Sequence, residues 1–175
     1  KIRTHRGLFR PNFSTDMHGL EGTMGLGYCG DNREPILVDS NLGEFAICFS
    51  GNIINQAELV KEYKERGHSF AWAGTDVEII AKLIAEGDGF VDGIQRMNEK
   101  VKGSFSIAVL AHEGIYMACD PSGRWPLVLG EKQGAIAGTI DPIGFDNWGF
   151  NYKRDVDPGE IILLRGSGIE TKGKL

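Results

Sequence analysis

One short stretch combines an apolar run, a small polar turn and a helix start, and this order suits the binding of a substrate oxygen. The apolar run covers residues 45–49 and leads into a Ser-Gly-Asn sequence at residues 50–52. Asn55 is a favourable helix N-cap, and Glu58, three positions later, completes a capping box. A strand that turns through small residues into a helix exposes backbone N–H groups, which bind an oxyanion or a carboxamide oxygen. The pattern predicts such a turn at residues 50–52, a feature that many plain connections share.

The cysteines and histidines offer other chemistry, and their spacing limits it. Cys29, Cys48 and Cys119 are odd in number and far apart along the chain. This arrangement fits neither a disulfide framework nor a metal-ligand spacing, and it favours a reducing, cytoplasmic setting. The four histidines have no histidine or carboxylate at ligand spacing, so the sequence predicts no metal site and no cofactor. Cys48 and Cys119 belong to apolar runs and are predicted to lie in the core.

The composition is that of a soluble globular protein. The chain has 175 residues, of which 41% are hydrophobic and 25% charged, and this length favours one domain with a real core. The net charge of −5 and the lack of a long basic cluster argue against a nucleic-acid surface. No stretch approaches the roughly 20 apolar residues of a membrane span, and no signal peptide is predicted.

The order of the predicted elements indicates the fold class. Strands come first, three helices follow, and the remainder is rich in strands and turns. This segregated order favours an α+β fold over an alternating α/β fold. The helices are predicted over residues 55–66, between Thr75 and Gly87, and over residues 90–102. The strands are predicted at residues 1–10, 23–29, 36–38, 44–49, 103–111, 114–119, 126–130, 135–139, 160–164 and 169–171.

Five stretches, taken in this order, resemble the class II glutamine amidotransferases, which are N-terminal-nucleophile hydrolases. The resemblance is closest to the glutaminase domain of the amidophosphoribosyltransferases, and it spans nearly the whole chain. The stretches are Met-Gly-Leu-Gly at 24–27 with Asn-Arg-Glu-Pro at 32–35, Ser-Gly-Asn-Ile-Ile-Asn at 50–55, Thr-Asp-Val-Glu at 75–78, Asp-Pro-Ser-Gly at 120–123 with Pro-Leu-Val-Leu-Gly at 126–130, and Asp-Val-Asp-Pro-Gly-Glu at 155–160.

The resemblance implies a fold and a set of site residues. The fold is a four-layer αββα sandwich of two antiparallel sheets, and the activity is the release of ammonia from glutamine by an N-terminal cysteine. The family's oxyanion-hole turn falls on Ser50 and Gly51, with Asn52 next to them at the substrate. The carboxylate that binds the α-amino group of glutamine falls on Asp76. As a helix-start residue, Asp76 also fits a purely structural carboxylate favoured by the helix dipole.

The chain departs from the family pattern at several points. Residues 1–13 align best downstream of the family's N-terminal Cys strand, so the single domain expected over residues 1–175 lacks that strand. Ser50 replaces an oxyanion-hole asparagine, and loss of such a donor costs about 3 kcal/mol in a well-studied protease. The loop that carries the family's carboxylate-binding arginine is shortened, and that arginine has no clear equivalent, although Arg33 is near, two positions before a proline. Trp125 stands where the family has an arginine.

Three functions stay open at this point. The first is a glutaminase domain or subunit that binds glutamine at Ser50, Gly51 and Asp76 and passes ammonia to a separate synthase partner. The second is a catalytically inactive relative that acts as a ligand-binding or assembly subunit, which the departures favour if the chain is complete. The third is another amide hydrolase with Cys29 as the nucleophile, although most free cysteines are inert. A homo-oligomer is left open in each case.

Overall fold

Two antiparallel β-sheets are stacked face to face in the computed structural model, which describes residues 2, 22–30, 34–166 and 168–175. The strands are β1 (Ile36–Ser40), β2 (Gly43–Ile53), β3 (Gly103–Ala111), β4 (Gly114–Cys119), β5 (Val128–Lys132), β6 (Ala135–Thr139), β7 (Asn151–Asp155), β8 (Glu160–Arg165) and β9 (Gly168–Lys174). The helices are α1 (Gln56–Glu65), α2 (Asp76–Ala85), α3 (Phe90–Lys100) and α4 (Ile143–Trp148). Within the described residues, the larger sheet has the order β1-β2-β3-β4-β8-β9 and the smaller sheet the order β6-β5-β7.

The larger sheet has a hydrophobic core on each of its faces. In β8, Ile161 and Leu163 pack toward the helices, whereas Ile162 and Leu164 pack toward the smaller sheet. A strand that is buried on both faces reads as an unbroken apolar run rather than an alternating one. This explains why residues 161–164 are all apolar, and it places the strand at the centre of the fold.

Helices cover both outer surfaces of the two sheets. Helix α2 is buried on nearly all sides, because it packs on the larger sheet between α1 and α3. On the far side of the smaller sheet, Phe145 of α4 packs over Gly130, where a Cβ atom would lie 3.0 Å from the ring. The order of layers is therefore helix, sheet, sheet, helix, which confirms the predicted α+β class and the αββα sandwich. None of the helices in the described ranges is long and apolar enough to cross a membrane.

Most predicted elements are confirmed, and two predictions are wrong. The strand predicted at residues 23–29 is not formed, because this extended segment has no ladder partner within the described residues. Residues 50–52 are not a turn, because β2 continues through them to Ile53. Strand β7 was not predicted, since its side chains are mostly exposed and carry no apolar alternation. The strand predicted at residues 1–10 lies outside the described part of the chain, residue 2 excepted.

An ion pair between a buried carboxylate and a partly exposed arginine joins the two sheets at one end. Arg154 on β7 donates two hydrogen bonds to the carboxylate of Glu160 on β8, at 2.7 and 2.9 Å. Thr171 Oγ1 on β9 and the Asp157 N–H donate to the same carboxylate at 2.7 and 3.0 Å. These donors, led by the Arg154 guanidinium, lower the pKa of Glu160 from 4.5 to about 2. Glu160 therefore connects both sheets through one ionised carboxylate.

Replacement of Glu160 by glutamine is expected to lower the free energy of unfolding at pH 7 by about 3 kcal/mol, since each pKa unit corresponds to about 1.4 kcal/mol. Because the folded-state pKa is depressed, this contribution is fully present above pH 4.5. It is lost as the pH falls from 4.5 to about 2. Urea unfolding of both proteins across this range tests the expectation, with Glu170→Gln, at an exposed ion pair, as the control. A difference that stays constant with pH would contradict it.

Candidate active site

Strand β2 extends beyond the neighbouring strand on its outer side. Its pairing with β1 stops at Ile47, whereas its pairing with β3 continues to Ile53. Just past the strand, Ile54 N–H donates to Lys102 O on the β3 side at 2.8 Å. Since N–H directions alternate along an extended chain, residues 49, 51 and 53 direct their N–H groups to the opposite side. The last part of β2 thus presents three backbone donors on the side that β1 does not reach.

Carboxylates accept hydrogen bonds from the first and the last of these three N–H groups. Phe49 N–H donates to Glu34 Oε2 at 2.6 Å. Ile53 N–H donates to Asp76 Oδ2 at 3.4 Å. Gly51 N–H lies midway between them, about 7 Å along the strand from each, and the described residues supply no hydrogen-bond acceptor for it. The arrangement is a backbone donor that points outward beside the carboxylate of Asp76.

Glycine is required at position 51 by a close approach of two strands. Gly51 has φ +150°, and a Cβ atom there would lie 2.2 Å from Ser104 O on β3. Farther along the same pair of strands, Gly103 pairs with Ile53 and has φ +156°, and a Cβ atom there would lie 2.1 Å from Asn52 O. The predicted turn was wrong for this reason, because the small residues permit tight pairing of β2 and β3 rather than a change of direction.

Ser50 and Asn52 lie on the sheet face that is directed toward the smaller sheet. Ser50 is half-buried and pairs with Ser106 of β3, whose hydroxyl donates to the carbonyl oxygen of Trp125. Asn52 is exposed and pairs with Ser104. The loop that contains Trp125 is therefore fixed next to Ser50. The side chains of Ser50 and Asn52 remain without hydrogen-bond partners inside the described ranges, so both are available to a ligand.

Asp76 is the first residue of α2, with Thr75 as the N-cap, as the sequence predicts. The side chain is half-buried, and burial raises the pKa of Asp76, an effect that the hydrogen bond from Ile53 N–H partly offsets. The contact with Ile53 brings the start of α2 to the end of β2. The structure thus brings Asp76 to the end of β2, the strand that carries the other three predicted site residues at positions 50–52.

The capping box predicted for Asn55 and Glu58 is not formed, and the same spacing at Thr75 and Glu78 does not form one either. The Asn55 side chain donates to Lys100 O at 2.9 Å and accepts from Lys102 N–H at 2.8 Å, so it joins the start of α1 to the end of α3. Glu78 is buried and accepts hydrogen bonds from the loop before α2 instead of from the N-cap residue. Sequence reasoning missed the roles of Glu78 and Glu34, since a carboxylate that bonds to a distant backbone has no local sequence signal.

The three cysteines differ in their surroundings. Burial, with a smaller contribution from Glu34, raises the pKa of the Cys48 thiol to about 12. Burial also raises the pKa of Cys119. Both are core residues, as predicted, and a thiol with a raised pKa is a poor nucleophile. Cys29 is exposed, and Arg33 lies outside the described residues.

Comparison with known proteins relates this geometry to a family. A family model described as a glutamine amidotransferase domain matches residues 29–142. The amidophosphoribosyltransferase of Methanothermobacter thermautotrophicus is 32% identical over 182 residues, which cover 93% of this chain and 38% of that protein. The corresponding enzyme of Synechococcus elongatus is 32% identical over 148 residues and is matched over 30% of its length. The chain spans about a third of the length of these relatives.

Solved structures support the same relationship. The glutamine phosphoribosylpyrophosphate amidotransferase of B. subtilis, complexed with ADP and GMP, superposes with a TM-score of 0.74 at 28% identity, over 81% of this chain and 32% of that chain. A structure described as the allosteric regulatory enzyme of purine biosynthesis superposes with a TM-score of 0.75 over 83% of this chain. The resemblance and the fold inferred from the sequence motifs are confirmed. The chain belongs to the glutamine amidotransferase domain family.

Proposed function

We propose that this chain binds glutamine and supplies the oxyanion hole for the release of ammonia from its side chain, for use by a separate synthase domain or subunit. The observation that carries the proposal is the outward-pointing Gly51 N–H beside the carboxylate of Asp76. A backbone N–H is a suitable donor for a carboxamide oxygen and for the oxyanion that develops from it.

The spacing of these two groups suits glutamine. Gly51 N–H and the Ile53 N–H that holds Asp76 are about 7 Å apart along the strand. In extended glutamine, the carboxamide oxygen and the α-nitrogen are about 6 Å apart, given bonds of about 1.5 Å. Glutamine with its carboxamide oxygen on Gly51 N–H therefore has its α-ammonium group within reach of the Asp76 carboxylate. Ser50 Oγ and the Asn52 side chain lie on the adjacent face and supply further polar contacts.

The reaction needs a cysteine thiol. In the chemistry that the family resemblance implies, the thiolate attacks the carboxamide carbon, the C–N bond breaks and protonated nitrogen leaves as ammonia. Water then cleaves the thioester to give glutamate and to restore the thiol. Gly51 N–H stabilises the oxyanion of each tetrahedral intermediate. We assign the thiol to an N-terminal cysteine on the family resemblance. Cys48 and Cys119 are unsuitable, because both are buried and burial raises their pKa values. The exposed Cys29 is the alternative, and a Cys29→Ser variant that loses glutamate release would favour it.

A glutaminase assay combined with the intact mass of the native protein tests this proposal. We expect glutamate release that saturates with glutamine, from a protein whose mass includes an N-terminal cysteine. Asparagine, which is one methylene shorter than glutamine, is the control. We expect its hydrolysis to aspartate to be at least tenfold slower than that of glutamine. Glutamine binding without glutamate release would support the ligand-binding alternative. Lack of any thermal stabilisation by millimolar glutamine would overturn the proposal, since a ligand of the folded state raises its stability.

A further inference from the structure

Glu78 is a buried carboxylate that makes hydrogen bonds to the loop before α2. Its side chain is 6% exposed. Oε1 accepts from Ala71 N–H at 2.5 Å, and Oε2 accepts from Trp72 N–H at 3.0 Å and from Gly74 N–H at 3.3 Å. One carboxylate thus satisfies three backbone donors of a four-residue segment, here called the 71–74 loop. Buried backbone donors that lose such a partner are costly.

The 71–74 loop has a strained backbone that needs these contacts. Ala73 has φ +59°, a left-handed conformation that costs a non-glycine residue roughly 1–2 kcal/mol. Gly74 follows with φ +74°, and a Cβ atom there would lie 2.6 Å from Val60 Cγ2 of α1. The Gln56 side chain of α1 donates to the carbonyl oxygen of Gly74. The loop is therefore held from both sides, by α1 and by Glu78. Strain of this kind persists only where surrounding contacts impose it.

The 71–74 loop leads directly into the candidate site. Thr75 follows it as the N-cap of α2, and Asp76 comes next. The bond from Ile53 N–H to Asp76 is long, at 3.4 Å, so by itself it holds the carboxylate only weakly. Helix ends fray when their first turn is not anchored. The position of Asp76 relative to Gly51 thus depends on how firmly the incoming loop is fixed.

The geometry points to Glu78 as a positioning residue for glutamine binding, which acts by fixing the 71–74 loop and through it the carboxylate of Asp76. This inference rests on the proposed function, because it assumes that Asp76 binds the α-ammonium group. Glu78 itself faces the loop backbone and not the ligand, so its effect is on substrate binding and not on the chemical step. Its replacement should therefore change KM and leave kcat nearly unchanged.

The test is Glu78→Gln in the purified protein, because glutamine has the same shape but turns an NH2 group toward backbone donors. We expect the KM for glutamine to rise about tenfold, with kcat within a factor of two of the original. Amide hydrogen exchange of the 71–74 loop should become at least tenfold faster. The matched control is Glu58→Gln, which makes the same change at the equivalent third position of α1, where the side chain is exposed. The KM for glutamine and the exchange rate of the 71–74 loop should stay unchanged in the control.

A second variant keeps the inference testable if Glu78→Gln does not fold. Gln56→Ala removes only the side-chain bond to Gly74 O, and we expect a rise in KM of about threefold with kcat unchanged. If the unaltered protein converts glutamine and every variant that folds has the same KM as the unaltered protein, the positioning role is wrong and the proposed function stands. If the unaltered protein neither binds nor converts glutamine, both are wrong.

Discussion

Replacement of Asp76 by asparagine is expected to lower kcat/KM for glutamine by about a hundredfold. The asparagine side chain keeps an oxygen for Ile53 N–H but loses the negative charge that we propose binds the α-ammonium group. A hydrogen bond to a charged group contributes about 1.5–3 kcal/mol, and a hundredfold change corresponds to about 2.7 kcal/mol. Steady-state glutamate release over a range of glutamine concentrations measures the effect. Most of it should appear in KM, because the ammonium group lies away from the reacting carbon.

The pH dependence of binding separates a charge effect from a structural one. Burial raises the pKa of Asp76, so in the original protein the affinity for glutamine should fall as the pH drops through this raised value. In Asp76→Asn the affinity should be low and independent of pH in the same range. Asp92→Asn is the matched control, since Asp92 lies in the first turn of α3 with a side chain that is 41% exposed, and it should behave as the original protein. If Asp76→Asn kept full activity, the Asp76 carboxylate of the original protein would have only the structural role of a helix-start residue.

Local patterns in the sequence were sufficient to predict most of the elements and the position of Asp76. Helix α2 has apolar residues at helical spacing and a polar N-terminus, and both features depend on neighbours within one or two turns. Strand β3 was predicted with its observed bounds at 103–111 because a glycine and an alternating run mark it. The chemistry of Asp76 came from the family resemblance, since spacing alone does not distinguish a ligand-binding carboxylate from a helix cap.

Contacts between distant segments explain what the sequence did not predict. The Ser-Gly-Asn sequence at 50–52 has the composition of a turn, yet pairing with β3 keeps it extended, and this depends on the close approach that Gly51 and Gly103 permit. Glu78 fits a capping box by spacing, yet three N–H groups in the 71–74 loop compete successfully for its carboxylate. In both cases a tertiary partner overrides a local preference, and both cases lie at the candidate site, where such exceptions are expected.

Gly51 is the site residue at which a substitution is expected to damage the fold strongly. In Gly51→Ala the new methyl group would lie 2.2 Å from Ser104 O and 2.8 Å from Phe105 Cα, both of which belong to the backbone of β3. Strain at φ +150° costs about 1–3 kcal/mol, and overpacking against a fixed backbone costs about 1–3 kcal/mol more. We expect the free energy of unfolding to fall by about 3–5 kcal/mol, as measured by urea denaturation.

Gly43→Ala is the control that separates these two costs, because Gly43 has φ +90° but a Cβ atom there meets nothing within 4 Å. It should lose only the strain contribution, about 1–2 kcal/mol. An equal loss in both variants would mean that the conformation of Gly51, and not its contact with β3, makes the glycine necessary. A larger loss at Gly51 means that the close approach of β2 and β3, and not the backbone conformation alone, makes the glycine necessary. The same strand pairing keeps residues 50–52 extended, and so it also holds the N–H group that we propose as the oxyanion donor.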